Sequence, residues 1–178
     1  MFQIIGPSHK ALLAIAVPMI LSNITVPLLG LVDTAVVGHL SAPYYLGGVA
    51  IGSMIITFIF AMAGFLRMAT TGVTAQAFGS DNAEGQLASL IHGLAIAVIL
   101  ALAIILLQWP IKLFSFWLAG GSAQVQHYGQ LYFSIRILSA PAVLINLVLL
   151  GWMLGMQTAR GAMWHLILTN VINIGLDM

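Results

Sequence analysis

Residues 28–40 read "LLGLVDTAVVGHL", with one carboxylate, Asp33, inside a run that is otherwise almost wholly apolar. The run extends back to about Ala11 and forward to about Gly38. A hydrocarbon core of about 30 Å takes ~20 apolar residues in a helix, so the stretch is long enough to cross a bilayer. It is also far longer than the ~7–15-residue apolar centre of a signal peptide, so it is expected to be retained. Ionised groups at membrane depth are costly, face protein or water, and mark ion or substrate paths. Asp33 lies ~33 Å along a helix that begins at Ala11, and ~9 Å short of His39. With a cytoplasmic N-terminus, that is the outer half of the membrane.

The remaining residues have the same character. Of 178 residues, 61% are hydrophobic and 5% charged, with a mean hydropathy of +1.10. Soluble domains carry about a quarter charged residues; this chain could not clothe a surface facing water, and its partner is the lipid bilayer. Five basic and four acidic side chains build no nucleic-acid footprint. The absence of cysteine excludes disulfides and thiolate metal sites. The sequence contains no P-loop, metal-ligand cluster or nucleophile elbow, so neither catalytic residues nor a cofactor are expected.

The predicted fold class is all-α, a polytopic membrane helix bundle. Residues 1–178 form one transmembrane unit with spans at about 11–38, 46–68, 86–109 and 129–154, and an incomplete one from 161 to 178. Short polar stretches separate them: "HLSAPYY", "TAQAFGSDNAEGQ", "LAGGSAQVQHYGQ" and "GMQTARGA". Ser80, Asp81 and Glu84 suit the N-terminal approach to the third span, where negative charge favours the helix dipole. The last span has room for only ~27 Å of helix, so the chain reads as a fragment of something longer. Lys10, Arg67 and Arg160 fall on one side of the membrane and Lys112 on the other, with Arg136 toward the outer end of the fourth span. Basic residues favour the cytoplasm, so the N-terminus is expected inside. Tyr44, Tyr45, Trp109, Trp117 and Tyr128 then form an outer aromatic belt. Gly47, Gly48, Gly52, Gly64 and Gly93 are expected to let helices approach closely.

A second polar site stands at "TNVINIGLDM", residues 169–178. Asn170, Asn173 and Asp177 are spaced i, i+3 and i+7, within ~60° of one helical face, and Thr169 borders that face. Such a stripe can be a seam of interhelical hydrogen bonds or the lining of a water-filled or ion-binding cavity; the density of amides and carboxyls favours the cavity. Asp177 lies ~24 Å above Gly161, a depth similar to that of Asp33 on a helix running the same way. The two carboxylates are therefore expected to share one cavity. Pro18 and Pro27 interrupt the first span, where each removes a backbone donor at a place that can bend or line a cavity. Pro141 does the same in the fourth span, with Asn146 as a candidate inward-facing group. The histidines carry less weight: His92 and His165 fall near cytoplasmic helix ends, and His9, His39 and His127 near loops.

Four stretches together resemble the multidrug and toxic compound extrusion (MATE) family, in its DinF-like branch: "AVPMILSNITVPLLGLVDTAVVGHL", "RMATTGVTAQAFG", "LSAPAVLINLVLLGWMLGMQTAR" and "NVINIGLDM". The resemblance covers essentially the whole chain. It implies a twelve-helix antiporter of two six-helix lobes, with most of the first lobe present here. It further implies export of cationic or amphipathic drugs and toxic compounds across the bacterial inner membrane, coupled to H+ or Na+. By match to the family's motifs, the cation site of the first lobe falls on Asp33, Asn173 and Asp177, which are also where Na+ would bind. Pro18 is the implied bending point of the first span. The sixth helix and the whole second lobe are absent, and the missing C-terminal lobe is expected to be needed for transport.

Elementary chemistry supplies a mechanism. Burial favours the neutral form of a carboxylic acid, and two such groups in one cavity titrate as a coupled pair. Protonated, Asp33 can enter drier packing; ionised, it attracts water, sodium or a cationic drug. Proton and substrate then compete for one charge. Two other readings stay open. One is a lipid-linked oligosaccharide flippase of related architecture, whose cavity would be lined with arginines for pyrophosphate; here only Arg136 is available. The other is a non-transporting membrane assembly subunit whose polar stripes join helices.

Overall fold

The computed structural model describes residues 43–158 and 161–169. Among them the regular elements are all helical: α1 (Pro43–Met62), α2 (Phe65–Gly79), α3 (Ala83–Leu106), α4 (Gln108–Ala119), α5 (Ala123–Arg136), a 3-10 turn (Ile137–Ser139) and α6 (Ala140–Gly155). A further helix, α7, covers 161–169. The expected span 11–38 lies outside the described residues, as does 170–178. Pro18, Pro27, Asp33, Asn170, Asn173 and Asp177 go with them.

Among the described residues three helical stretches are long and apolar enough to cross a membrane: Pro43–Gly79, Ala83–Leu106 and Ala123–Gly155. Large apolar side chains such as Met54, Phe58, Ile99, Leu106 and Trp117 stand exposed along the helices. In water such a surface would aggregate; in lipid it is the ordinary exterior. Among the described residues the all-α membrane bundle expected from hydropathy is therefore borne out.

Two of the three stretches are longer than a bilayer needs, and each is broken. The first, 37 residues long, spans ~55 Å at helical rise and breaks at Ala63–Gly64, where the Gly64 N–H donates to the Ala61 carbonyl at 3.0 Å. A β-carbon on Gly64 would stand 2.9 Å from that same oxygen, so the turn needs glycine. The other long stretch breaks at the 3-10 turn, just before Pro141. Proline has no N–H, and its ring crowds the carbonyl four residues back. Ser139 closes the turn by donating to the Arg136 carbonyl at 2.7 Å and accepting from the Arg136 guanidinium at 2.8 Å.

Two polar stretches fold differently from their appearance. Helix α2 continues through "TAQAFG" to Gly79, because Ala and Gln are good helix formers whatever their polarity. The turn itself spans only Ser80 to Asn82. Asp81 lies in the left-handed region at φ 52°, and the Asn82 side chain accepts from the Gly85 N–H at 2.9 Å. At the far end of α3 the chain turns at Leu107 and starts α4, with Pro110 in the first turn, where a missing N–H costs nothing. Gly120 and Gly121, at φ 65° and 108°, end α4, and Ser122 caps α5 by accepting from the Val125 N–H at 3.4 Å.

Helix α1 packs along α5, while α2 and α3 both pack on α6 and on each other. Two buried clusters result. Ile56, Phe116, Phe133 and Ile137 tie α1, α4 and α5 together. Ala63, Leu66, Ala97, Ala101, Ala140, Leu144 and Val148 tie α2, α3 and α6. Phe60 and Ile104 touch both clusters, and both helix breaks lie at this junction. Small residues set the spacing: a β-carbon on Gly48 would stand 2.8 Å from the Gly129 backbone nitrogen, and one on Gly93 2.8 Å from Val148 Cγ1.

Candidate functional site

Besides the Lys112 Nζ–Ser134 Oγ hydrogen bond that ties α4 to α5 at 3.2 Å, two polar groupings interrupt the apolar interior of the described residues. The first joins α2, α3 and α6. Ser89 donates its hydroxyl proton to the Gln86 carbonyl at 2.8 Å. The buried 2.8 Å contact between Thr74 Oγ1 and Ser89 Oγ must then take its proton from Thr74. Trp152 Nε1 donates to the same Gln86 carbonyl at 2.9 Å. The polar hydrogens of Thr74, Ser89 and the Trp152 indole are thus all used within the grouping, as buried groups require. It fastens three helices and offers nothing to a ligand.

The second grouping joins α6 to α7. After α6 the chain reverses through Gln157 at φ 56°, and Thr158 ties the turn down by donating to the Met153 carbonyl at 2.8 Å. Ala162, buried at the start of α7, seats the returning helix. One turn further on, His165 Nε2 meets Asn146 Oδ1 in a hydrogen bond. Thr169 Oγ1 donates to the His165 carbonyl at 2.8 Å, and this keeps the threonine proton within its own helix. Asn146, His165 and Thr169 are each half-buried. An amide, an imidazole and a hydroxyl can orient a ligand and satisfy its polar atoms, but they carry no fixed charge. Charge would have to come from carboxylates.

Of the residues that the sequence singles out, the structure places Asn146 and Thr169, and brings them to one locus through His165. Asp33, Asn170, Asn173, Asp177, Pro18 and Pro27 lie outside the described residues. His165 carries little weight in the sequence because it sits close to the expected cytoplasmic end of its span. Its spacing of four from Thr169 is the available signal.

Residues 18–178 match the profile of the MatE family. The chain is 51% identical over 171 residues to the DNA damage-inducible protein F of Escherichia coli, an alignment that covers 96% of this chain and 37% of that protein. It is 32% identical over 173 residues to the probable multidrug resistance protein NorM of Caulobacter vibrioides, covering 94% of this chain and 35% of that one. Among solved structures, a MATE protein crystallised in complex with MaD3S superimposes with a TM-score of 0.86 at 26% identity, covering 94% of this chain and 38% of that chain. The chain spans little more than a third of the length of the curated relatives it matches.

Proposed function

The chain belongs to the MatE family, and from that membership we propose that it forms the first helices of a cation-coupled antiporter exporting cationic or amphipathic compounds. The antiporter resides in a bacterial inner membrane with its N-terminus in the cytoplasm. Its coupling ion is H+ or Na+, held at Asp33, Asn173 and Asp177. Asn146, Thr169 and Asn170 line the path, and Pro18 and Pro27 let the first span bend. A second lobe completes the path, since alternating access needs one lobe to rock against another.

The observation that carries this reading is the polar face of α7. His165 and Thr169 are four residues apart, and the same spacing continues in sequence to Asn173 and Asp177. Successive steps of four drift by ~40° on a helix, so a continuous helix would keep the series to about a third of its circumference. The described end of that face already bonds a polar partner on another helix. Asp177, the last member of the series in sequence, would supply the charge that the amide and imidazole lack. Proton, sodium and cationic substrate would compete for that charge and for Asp33, and competition of this kind couples the flow of one to the other.

The test is gradient-driven ethidium accumulation in everted vesicles containing a complete transporter that carries residues 1–178. An imposed proton or sodium gradient should drive accumulation, with whichever ion works identifying the coupling. Asp33→Asn and Asp177→Asn should each remove the gradient-driven part while leaving the protein in the membrane. Undiminished accumulation in both variants would refute the assignment.

A further inference from the structure

We propose that His165 is a positioning residue for Asn146: its Nε2–H holds the amide oxygen, so that Asn146 presents its NH2 group as a donor to the transport path. This rests on the placement of Asn146 along that path. A primary amide has two unlike ends, one accepting and one donating, and can turn either toward a ligand. On α6 the side chains one turn from Asn146 belong to Ala142, Val143, Leu149 and Leu150, none of which has a polar hydrogen. The donor that meets the amide oxygen is His165, reaching across from α7.

The histidine is arranged for this task. Thr169, the nearest hydroxyl on its own helix, spends its proton on the His165 carbonyl rather than on the ring. The ring nitrogen is thus left to Asn146. With Oδ1 as acceptor, Nε2 must carry the proton, so the neutral ring is the Nε2–H tautomer. The consequence is a choice of ligand chemistry. An amide whose oxygen is engaged serves hydrogen-bond acceptors, such as a carbonyl, ether or ester oxygen of an amphipathic substrate. It serves a bare cation poorly.

Two measurements on the complete transporter test this. The first is the imidazole 15N spectrum of histidine-labelled protein, with the His165 signal assigned by its loss in His165→Gln. The expected pattern is the Nε2-protonated tautomer in the wild type, shifted toward a tautomeric mixture in Asn146→Leu. An identical pattern in Asn146→Leu would overturn the bond. The second compares rhodamine 6G, which has ester and ether oxygens, with ethidium, which has none. His165→Ala should raise the KM for rhodamine 6G about tenfold with kcat within about twofold, as loss of one oriented hydrogen bond implies. Ethidium kinetics should be nearly unchanged. His165→Gln keeps an N–H donor and should restore most of the rhodamine KM. Equal loss for both dyes, or no rescue by glutamine, would show a merely structural histidine and overturn the proposal. A wild-type transporter that moved neither dye would instead sink the antiport reading, and the 15N pattern would still decide whether His165 holds Asn146.

Discussion

Gly151 of α6 lies so close to α2 that a β-carbon added there would stand 2.6 Å from the Arg67 carbonyl oxygen. One turn on, Gly155 has the same relation to Thr74, whose Cβ would be 2.6 Å away. Backbones that meet at this distance gain van der Waals contact that larger residues would prevent, the usual basis of helix association in lipid. Gly151→Ala must push the helices apart, at a cost of about 1–3 kcal/mol. Gly72, on α2, has nothing within 4 Å of its would-be β-carbon, and alanine there should be neutral or stabilising by up to ~1 kcal/mol through helix propensity. Thermal unfolding in detergent should rank Gly72→Ala at or above wild type and Gly151→Ala clearly below. Equal stability of the two variants would contradict the packing described here.

The Thr74–Ser89 hydrogen bond is buried and should be measurable as a coupling. Thr74→Val, Ser89→Ala and the double variant form a thermodynamic cycle. Interhelical hydrogen bonds in membranes are worth ~0.6 kcal/mol on average and up to ~1.7. The shared Gln86 carbonyl should place this one in the upper part of that range. A coupling indistinguishable from zero would mean that apolar packing alone sets the contact between α2 and α3.

Topology is testable because the chain has no cysteine. Ser80 and Gln124 are exposed and stand beyond opposite ends of α3. With Lys10, Arg67 and Arg160 inside, Ser80→Cys should resist a membrane-impermeant thiol reagent added to intact cells, while Gln124→Cys should react. The reverse pattern would invert the orientation.

How much of the structure is legible in the sequence depends on the kind of signal. Hydropathy runs announce the helices around residues 50, 95 and 145, since burial in lipid demands apolar length and little else. Polarity misleads where α2 runs on to Gly79 and where α5 begins at Ala123, because polar residues are compatible with helix and the real turns are only a few residues wide. The helix breaks at Ala63–Gly64 and Ile137–Ser139 are set locally, at Gly64 and by the Ser139–Arg136 bonds before Pro141, but a lone glycine or proline in an apolar run does not by itself announce a break. At the site, Asn146 and Thr169 stand out as polar residues in apolar helices. His165 does not, because its role comes from an asparagine 19 residues away that only the reversal at Gln157 brings within reach.

Central to the proposed antiport is one carboxylate, Asp33, shared between the coupling ion and the substrate. The most direct measurement is ion release when ethidium is added to the purified complete transporter, followed by a pH-sensitive dye and by a sodium electrode. Wild-type protein should release protons or sodium as substrate binds. Asp33→Asn keeps the shape of the side chain without its charge and should release neither. Release from Asp33→Asn equal to that from wild type would contradict the shared charge and leave Asp33 with no part in coupling.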